Sequence, residues 1–366
     1  MKKVVSVVGA RPNFMKIAPI DRAFKAYSDE IEHIIVHTGQ HYDYQMSEAF
    51  FQDLQMPSPN FFLGVGSGSH AEQTAKVMTA FEEVCQKVKP DLVIVPGDVN
   101  STMAAAITTK KLSLPLAHIE AGLRSGDRTM PEEINRIVTD VIADLLFVTE
   151  KSGYENLIAE GIPSYKIHFV GNTMIDSLIF ASEQLNKSKI LQTLQLSECS
   201  YVLITLHRPT NVDSAEMLSM FFDIFNYISS RKKIVFPVHP RTRKNITDFG
   251  LDEIAGQNKN LILTEPLGYI DFLNLMKNSS LVITDSGGIQ EETTFLGVPC
   301  ITTRTTTERP ITVEIGTNTL VHPEKEAILK TIYEKIDNSS NPHQIPKLWD
   351  GKASKRIAEI IYNYLR

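Results

Sequence analysis

Residues 281–302, LVITDSGGIQEETTFLGVPCIT, read as one strand–helix–strand unit. Leu281–Thr284 is a short β-branched run, Ser286-Gly287-Gly288 breaks it, Gly288–Phe295 reads as a helix, and Pro299–Thr302 starts a second strand. The same alternation continues on both sides. Strands are predicted at Tyr201–Thr205, Lys233–Val238, Asn260–Leu263 and Thr319–Val321, with helices at Ala215–Ser229, Tyr269–Met276 and Lys325–Ile336. The first half repeats the pattern, with strands at Lys3–Val8, His33–His37, Asp91–Val95, Leu116–Ile119, Leu145–Val148 and Ile167–Val170. Helices are predicted between them at Phe14–Tyr27, Asp43–Leu54, Ala71–Val88, Thr102–Lys111, Pro131–Ala143 and Gly153–Glu160. Strands separated by helices predict parallel sheets, because a parallel pair needs a long crossover. The economical reading is two consecutive doubly wound α/β modules. Their seam falls after Gly171-Asn172-Thr173, and a polar segment, Asn338–Pro346, leads to a last helix at Ala353–Leu365.

The chain of 366 residues is long enough for two such modules. Its three cysteines, Cys85, Cys199 and Cys300, lie far apart and form no CxxC pair, which argues against a disulfide scaffold or structural zinc site and fits a reducing cytoplasm. His37, His41 and the carboxylates also lack compact metal-ligand spacing. No apolar run approaches a membrane span, and the short run after Met1-Lys2-Lys3 is interrupted by Gly9 and Arg11. With 37 Lys+Arg against 43 Asp+Glu, the net charge of −6 gives no global field for nucleic acid or anionic lipid. An anionic ligand would have to be held by a few local cations.

Several strand ends carry residues suited to such a ligand. The Ser286-Gly287-Gly288 turn lets backbone N–H groups approach a phosphate at a helix N-terminus, and Glu292, one turn on, can accept from a ribose diol; the competing account makes Ser286 a simple helix cap. The first strand runs into GARPNFMK (9–16), which is not GxGxxG, so Arg11 and Lys16 would supply explicit positive charge. Asp98 and Glu120 follow the ends of two successive strands, and Glu132 and Arg136 share a face of the next helix at i, i+4 spacing. Taken singly these are a cap, a solvated acid and a helix ion pair. Taken together, three carboxylates on one module suit proton transfer. In the second module, His207-Arg208 and His239-Pro240-Arg241 follow adjacent strands, and Arg304 and Arg309 follow another.

These motifs occur in a fixed order along nearly the whole chain: GARPNFMK (9–16), GQH (39–41), PGDVNST (96–102), HIEAGLRSGD (118–127), PEEINR (131–136), GNTMID (171–176), LHR (206–208), PVHPR (237–241), TDSGGIQEE (284–292) and TTERP (306–310). In this the chain resembles the non-hydrolysing UDP-N-acetylglucosamine 2-epimerases. The resemblance implies a GT-B architecture with the substrate in the cleft between two Rossmann-like domains. An N-terminal domain at 1–172 would be rejoined by the helix 353–366, and a UDP-binding domain would occupy 173–348. It also implies reversible interconversion of UDP-GlcNAc and UDP-ManNAc by a cytoplasmic homodimer that needs no cofactor and serves cell-envelope polysaccharides. Carried over by position, Asp98, Glu120 and Glu132 match the proton-transfer acids. Arg11, Lys16 and His207 would hold or orient the diphosphate, with His207 counted among the catalytic group. Ser286, Gly287 and Gly288 would bind phosphate, Glu292 the ribose, and Phe272 the uracil through its backbone, with Gln40, His41, Arg136, His239 and Arg309 completing the substrate set.

Departures from the family pattern refine this expectation. Hydrolysing relatives carry an Arg-Ala-Asp type of turn where this chain has Arg11-Pro12-Asn13. Members activated by UDP-GlcNAc carry polar motifs where Tyr42-Asp43 and Pro209-Thr210 stand here. Relatives acting on diacetamido uronic acid nucleotides share the GARPxF turn, so the C3 and C6 substituents of the sugar stay open, as do a hydrolysing 2-epimerase and a GT-B glycosyltransferase.

Overall fold

A computed structural model describes residues 1–39, 53–337 and 343–366. Gln40, His41, the departure at Tyr42-Asp43 and nearly all of the helix expected over Asp43–Leu54 lie outside them. The chain divides into two compact units, Met1–Phe180 with Lys347–Arg366, and Ala181–Pro346.

The first unit is a seven-stranded sheet in the order β3-β2-β1-β4-β5-β6-β7. Its elements are β1 (Lys2–Val8), α1 (Arg11–Phe24), β2 (Ile31–His37), β3 (Phe61–Phe62), α2 (His70–Val88), β4 (Leu92–Pro96), α3 (Asn100–Lys111), β5 (Leu116–Ile119), α4 (Pro131–Ile142), β6 (Leu145–Val148), α5 (Lys151–Ala159), β7 (Ile167–Phe169) and α6 (Thr173–Ser182). All pairings are parallel. Continuous Val, Ile and Leu runs form the central strands because helices cover both faces. Val5, Val7, Val93, Val95, Leu146 and Val148 are buried in one cluster with Ile34 and Phe81.

The second unit has six parallel strands in the order β10-β9-β8-β11-β12-β13. It contains β8 (Tyr201–Thr205), α7 (Ala215–Ser229), β9 (Lys233–Pro237), α8 (Pro240–Asp248), β10 (Leu261–Thr264), α9 (Tyr269–Lys277), β11 (Leu281–Thr284), α10 (Gly287–Leu296), β12 (Cys300–Thr303), β13 (Asn318–Val321) and α11 (Lys325–Lys335). Phe221, Phe222, Phe225 and Ile228 of α7 pack with Ile204 and Phe236 in its core. The final helix, α12 (Ala353–Tyr364), buries Ala353, Ile357, Ala358 and Ile361 in the first unit, and the nearby Trp349 Nε1 donates to Thr149 O at 3.0 Å.

The boundary falls later than the seam read from Gly171-Asn172-Thr173, because α6 packs with the first unit. Ser177 Oγ donates to Met15 O at 2.5 Å, and Asp176 accepts from Ser354 N at 2.7 Å and Ser354 Oγ at 2.6 Å. Helix α8 had no apolar periodicity to announce it. Only Thr242 and Ile246 of its nine residues are buried, and it is started instead by Pro240 at its first turn and by His239, whose Nδ1 accepts from Arg241 N. Among the described residues, no helix is long and apolar enough to cross a membrane, and no grouping of His, Cys, Asp and Glu could hold a metal ion.

Candidate active site

Pro96 and Ile119 are directly paired in the sheet, so Asp98 and Glu120 emerge from the carboxyl ends of neighbouring strands. This is the end of a parallel sheet where ligands collect. Glu120 is buried, and its Oε2 lies 2.6 Å from Lys16 Nζ, itself buried on α1. Its backbone is in the left-handed region at φ 72°. For a residue with a side chain, that conformation costs on the order of 1–3 kcal/mol and persists only where the surroundings enforce it. Here Glu120 N and Ala121 N both donate to Phe147 O of β6 at 3.0 Å.

Asp98 faces a second buried cation. Its Oδ2 accepts from Arg136 Nε at 3.1 Å, with Arg136 Nη2 at 3.0 Å. Arg136 also reaches Glu133 Oε2 at 2.5 Å, three residues back. Glu133 is buried and accepts from Ser125 N, Ser125 Oγ and Gly126 N, which draws the loop toward α4. Glu132 is half-buried in the first turn of α4, and Arg11 is half-buried at the start of α1. Asn13 joins these parts: its Oδ1 accepts from Gly9 N and Ala10 N at 3.0 Å, while its Nδ2 donates to Pro96 O at 3.1 Å. Gly97 is required twice over. Its φ is +67°, and a Cβ there would stand 2.7 Å from Lys16 Nζ.

In the second unit, Thr205 and Thr284 are paired in the sheet, which sets His207 beside Asp285. His207 Nδ1 lies 2.8 Å from Asp285 Oδ1, with 41% of its side chain exposed, and the ring of His239 is 5.8 Å away. Asp285 also accepts from His207 N, Arg208 N and Asn211 Nδ2. Burial alone would raise its carboxyl, but the His207 ring and these donors hold it below the usual range. Ser286 occupies the N-cap position of α10, yet its hydroxyl makes no capping bond, contrary to the simple-cap account. Phe272, half-buried on α9, has its N–H committed to Gly268 O at 3.0 Å.

Beneath the glycine turn runs a chain of buried ions that reading residues one at a time did not anticipate. Arg309 Nε lies 2.9 Å from Glu291 Oε1, Arg309 also pairs with Glu308, and Glu308 Oε2 accepts from Arg304 Nη2 at 2.9 Å. A Cβ on Gly287 would fall 2.5 Å from Arg309 Nη1 and 2.6 Å from Glu308 Oε1, so this glycine is demanded from below. Glu292 is buried and accepts from Tyr269 OH at 2.7 Å. Burial pushes its carboxyl up to about 7, the tyrosine hydrogen bond opposes that rise, and the charge of Glu291 adds to it.

Sequence reading missed His118, Asp140, Glu133, Asn135 and Tyr269. A histidine or acid inside an apolar strand or on a helix flank gives no signal of its partner; the one available hint was that the polar groups of HIEAG (118–122) lie too close to a strand to be solvated.

A family model described as UDP-N-acetylglucosamine 2-epimerase matches residues 23–362. A Methanococcus maripaludis protein named UDP-N-acetylglucosamine 2-epimerase homolog is 45% identical over 363 residues, covering 99% of each chain. A Pseudomonas aeruginosa UDP-2,3-diacetamido-2,3-dideoxy-D-glucuronate 2-epimerase is 38% identical over 363 residues, covering 98% of this chain and 99% of that one. The crystal structure of Methanocaldococcus jannaschii UDP-GlcNAc 2-epimerase in complex with UDP-GlcNAc and UDP superposes with a TM-score of 0.90 at 41% identity, covering 99% of both chains. With two Rossmann-like parallel-sheet units of the GT-B class and a match along almost its full length, the chain belongs to the UDP-N-acetylglucosamine 2-epimerase family.

Proposed function

We propose that the protein interconverts UDP-GlcNAc and UDP-ManNAc without net hydrolysis. The observation that carries this reading is the pair of carboxylates at neighbouring strand ends, Glu120 against Lys16 and Asp98 against Arg136. C2 of the sugar is not adjacent to a carbonyl, so its proton cannot leave by enolisation. In the proposed path a carboxylate takes the C2 proton while the C1–O bond to UDP breaks, giving a 2-acetamidoglucal through an oxocarbenium-like transition state. A proton then returns to the opposite face of C2 and UDP re-adds at C1. Asp98, Glu120 and Glu132 supply the acid and base groups. Arg11, Lys16 and His207 orient and neutralise the departing diphosphate, the α10 turn at Ser286, Gly287 and Gly288 binds phosphate, and Glu292 accepts from the ribose. Phe272, His239, Gln40, His41, Arg136 and Arg309 complete the substrate set, and no cofactor is required.

The departure at Asn13 from the Arg-Ala-Asp turn of hydrolysing relatives supports the reversible over the hydrolysing reaction. The Asn13 amide both accepts from Gly9 and Ala10 and donates to Pro96 O, whereas an ionised aspartate there would lack the donor. The 38% identical diacetamido-glucuronate relative favours one second reading, the same chemistry on a UDP-sugar altered at C3 and C6. Incubation with each sugar nucleotide in D₂O decides. UDP-ManNAc bearing deuterium at C2 supports the first reading, and exchange only with the diacetamido uronate supports the second. Free ManNAc would point to hydrolysis, and absence of C2 exchange from any substrate removes the elimination path.

A homodimer working in the cytoplasm on envelope polysaccharide precursors completes the proposal. Helix α4 supports it: its buried face carries Glu133, Asn135, Arg136, Thr139 and Asp140, while Ile134 and Val141, two turns apart, stay 41% and 58% exposed. A second copy would cover such an apolar face. Sedimentation of Val141→Glu as a monomer would agree with this, and an unchanged dimer would place the interface elsewhere.

A further inference from the structure

Three consecutive carbonyl oxygens at the end of β4 are each held by a side chain from a different element. Pro96 O accepts from Asn13 Nδ2 of α1 at 3.1 Å, Gly97 O lies 2.8 Å from His118 Nε2 of β5, and Asp98 O accepts from Asn135 Nδ2 of α4 at 2.8 Å. A carbonyl oxygen can only accept, so His118 Nε2 carries a hydrogen and donates it. The other ring nitrogen, Nδ1, is 2.6 Å from Asp140 Oδ1. On its second oxygen, Asp140 accepts from Gly122 N at 3.0 Å and pairs with Arg124 Nη1 at 2.7 Å. His118 and Asp140 are fully buried. Burial alone would raise the Asp140 carboxyl, but the His118 ring and the Arg124 guanidinium hold it below the usual range.

The topology of these bonds gives them a purpose. His118 stands two residues before Glu120 and Gly122 two residues after it, so one carboxylate grips the chain on both sides of Glu120. The ring that it orients grips the peptide oxygen immediately before Asp98. The left-handed backbone at Glu120 sits in the middle of this brace. A buried ion pair is weak evidence for stability, since well-packed apolar residues can often replace one at little cost. Rates are less forgiving, because a misplacement of about 1 Å can cost on the order of 100-fold.

We propose that Asp140 and His118 form a positioning pair that fixes Asp98 against Glu120 for proton transfer, without either side chain touching the substrate. This rests on the reading of those two carboxylates as the proton-transfer groups. His118→Phe keeps a ring but removes both nitrogens. It is expected to lower kcat by about 100-fold while KM and UDP affinity stay within about threefold, and His118→Gln, which returns a donor toward Gly97 O, should recover at least about tenfold of that loss. Asp140→Asn, close to isosteric, should show the same split if the phenylalanine variant does not fold. The backbone amides of Gly97–Val99 should exchange with solvent faster in the variants than in the parent enzyme.

Three results would overturn the proposal. One is a kcat near that of the parent. Another is a fall in kcat matched by an equal fall in UDP affinity, and the third is unaltered amide exchange at Gly97–Val99. A parent enzyme with no C2 exchange on any substrate would overturn the proposed reaction instead, and amide exchange in the variants would still report whether His118 holds the turn.

Discussion

Two buried glutamates, one in each unit, are held in opposite ways. In the first unit Glu120 faces a cation, Lys16, as Asp98 faces Arg136 and Asp140 faces Arg124. In the second unit Glu292 is kept by burial, with a tyrosine hydroxyl in place of a cation and its carboxyl pushed up to about 7. A site that moves protons needs its acids fixed in position. If Glu292 receives the ribose diol as proposed above, donors arriving with the ligand would favour its charged form.

The largest effect that would test this contrast is on turnover. Glu120→Gln should lower kcat by about 10²–10⁴-fold, the usual range for a positioned acid or base, while UDP still binds. Turnover at the full rate would remove Glu120 from the proton-transfer role. On stability, Lys16→Met leaves Glu120 buried without its partner and should destabilise the first unit by about 3–5 kcal/mol, read by denaturant titration. Restoration in the Lys16→Met, Glu120→Gln double variant would assign that loss to the pair itself.

At Glu292 the sign is opposite to that at Asp140 and Asp285. The Glu292 carboxyl is raised in the folded chain, so it contributes nothing to the pH dependence below the ordinary carboxylate range. Its cost enters as pH rises from about 4.5 through 7 and is complete above that, reaching about 3 kcal/mol. Glu292→Gln should therefore flatten the fall in stability expected between pH 5 and pH 8 when melting curves of the parent chain are compared with those of the variant, and an unchanged slope would contradict the raised carboxyl. The smallest of these effects is expected at Arg11, whose loss in Arg11→Ala should weaken UDP by about 1.5–3 kcal/mol in calorimetry, the scale of a charge-assisted hydrogen bond, with the fold intact.

The strand pattern, the doubly wound class and the ordered motifs were legible without coordinates because they depend on local periodicity and spacing. Elements whose stability comes from elsewhere were not. Helix α8 buries two residues and is set by its proline and its cap, and β3 is two residues long, pairing Phe61 and Phe62 with Val36 and His37. Candidate residues were found as single charges. Lys16 and Arg309 were read as cations beside a diphosphate and Arg136 as a supporting group, and the carboxylates that each is buried against came only with the fold.

What the sequence by itself determined is therefore the alternation of strands and helices, the placing of acids and histidines at strand ends, and the likeness to one family. Those features follow from hydrophobic period and local turn chemistry, which are properties of neighbours along the chain. Tertiary structure alone decided which acid meets which base, which charged side chains crowd Gly97 and Gly287, and how Asp140 and His118 tie two strand ends together. Each of these joins residues far apart in sequence, and a buried charge or donor is stable only with a specific partner that no local pattern can name.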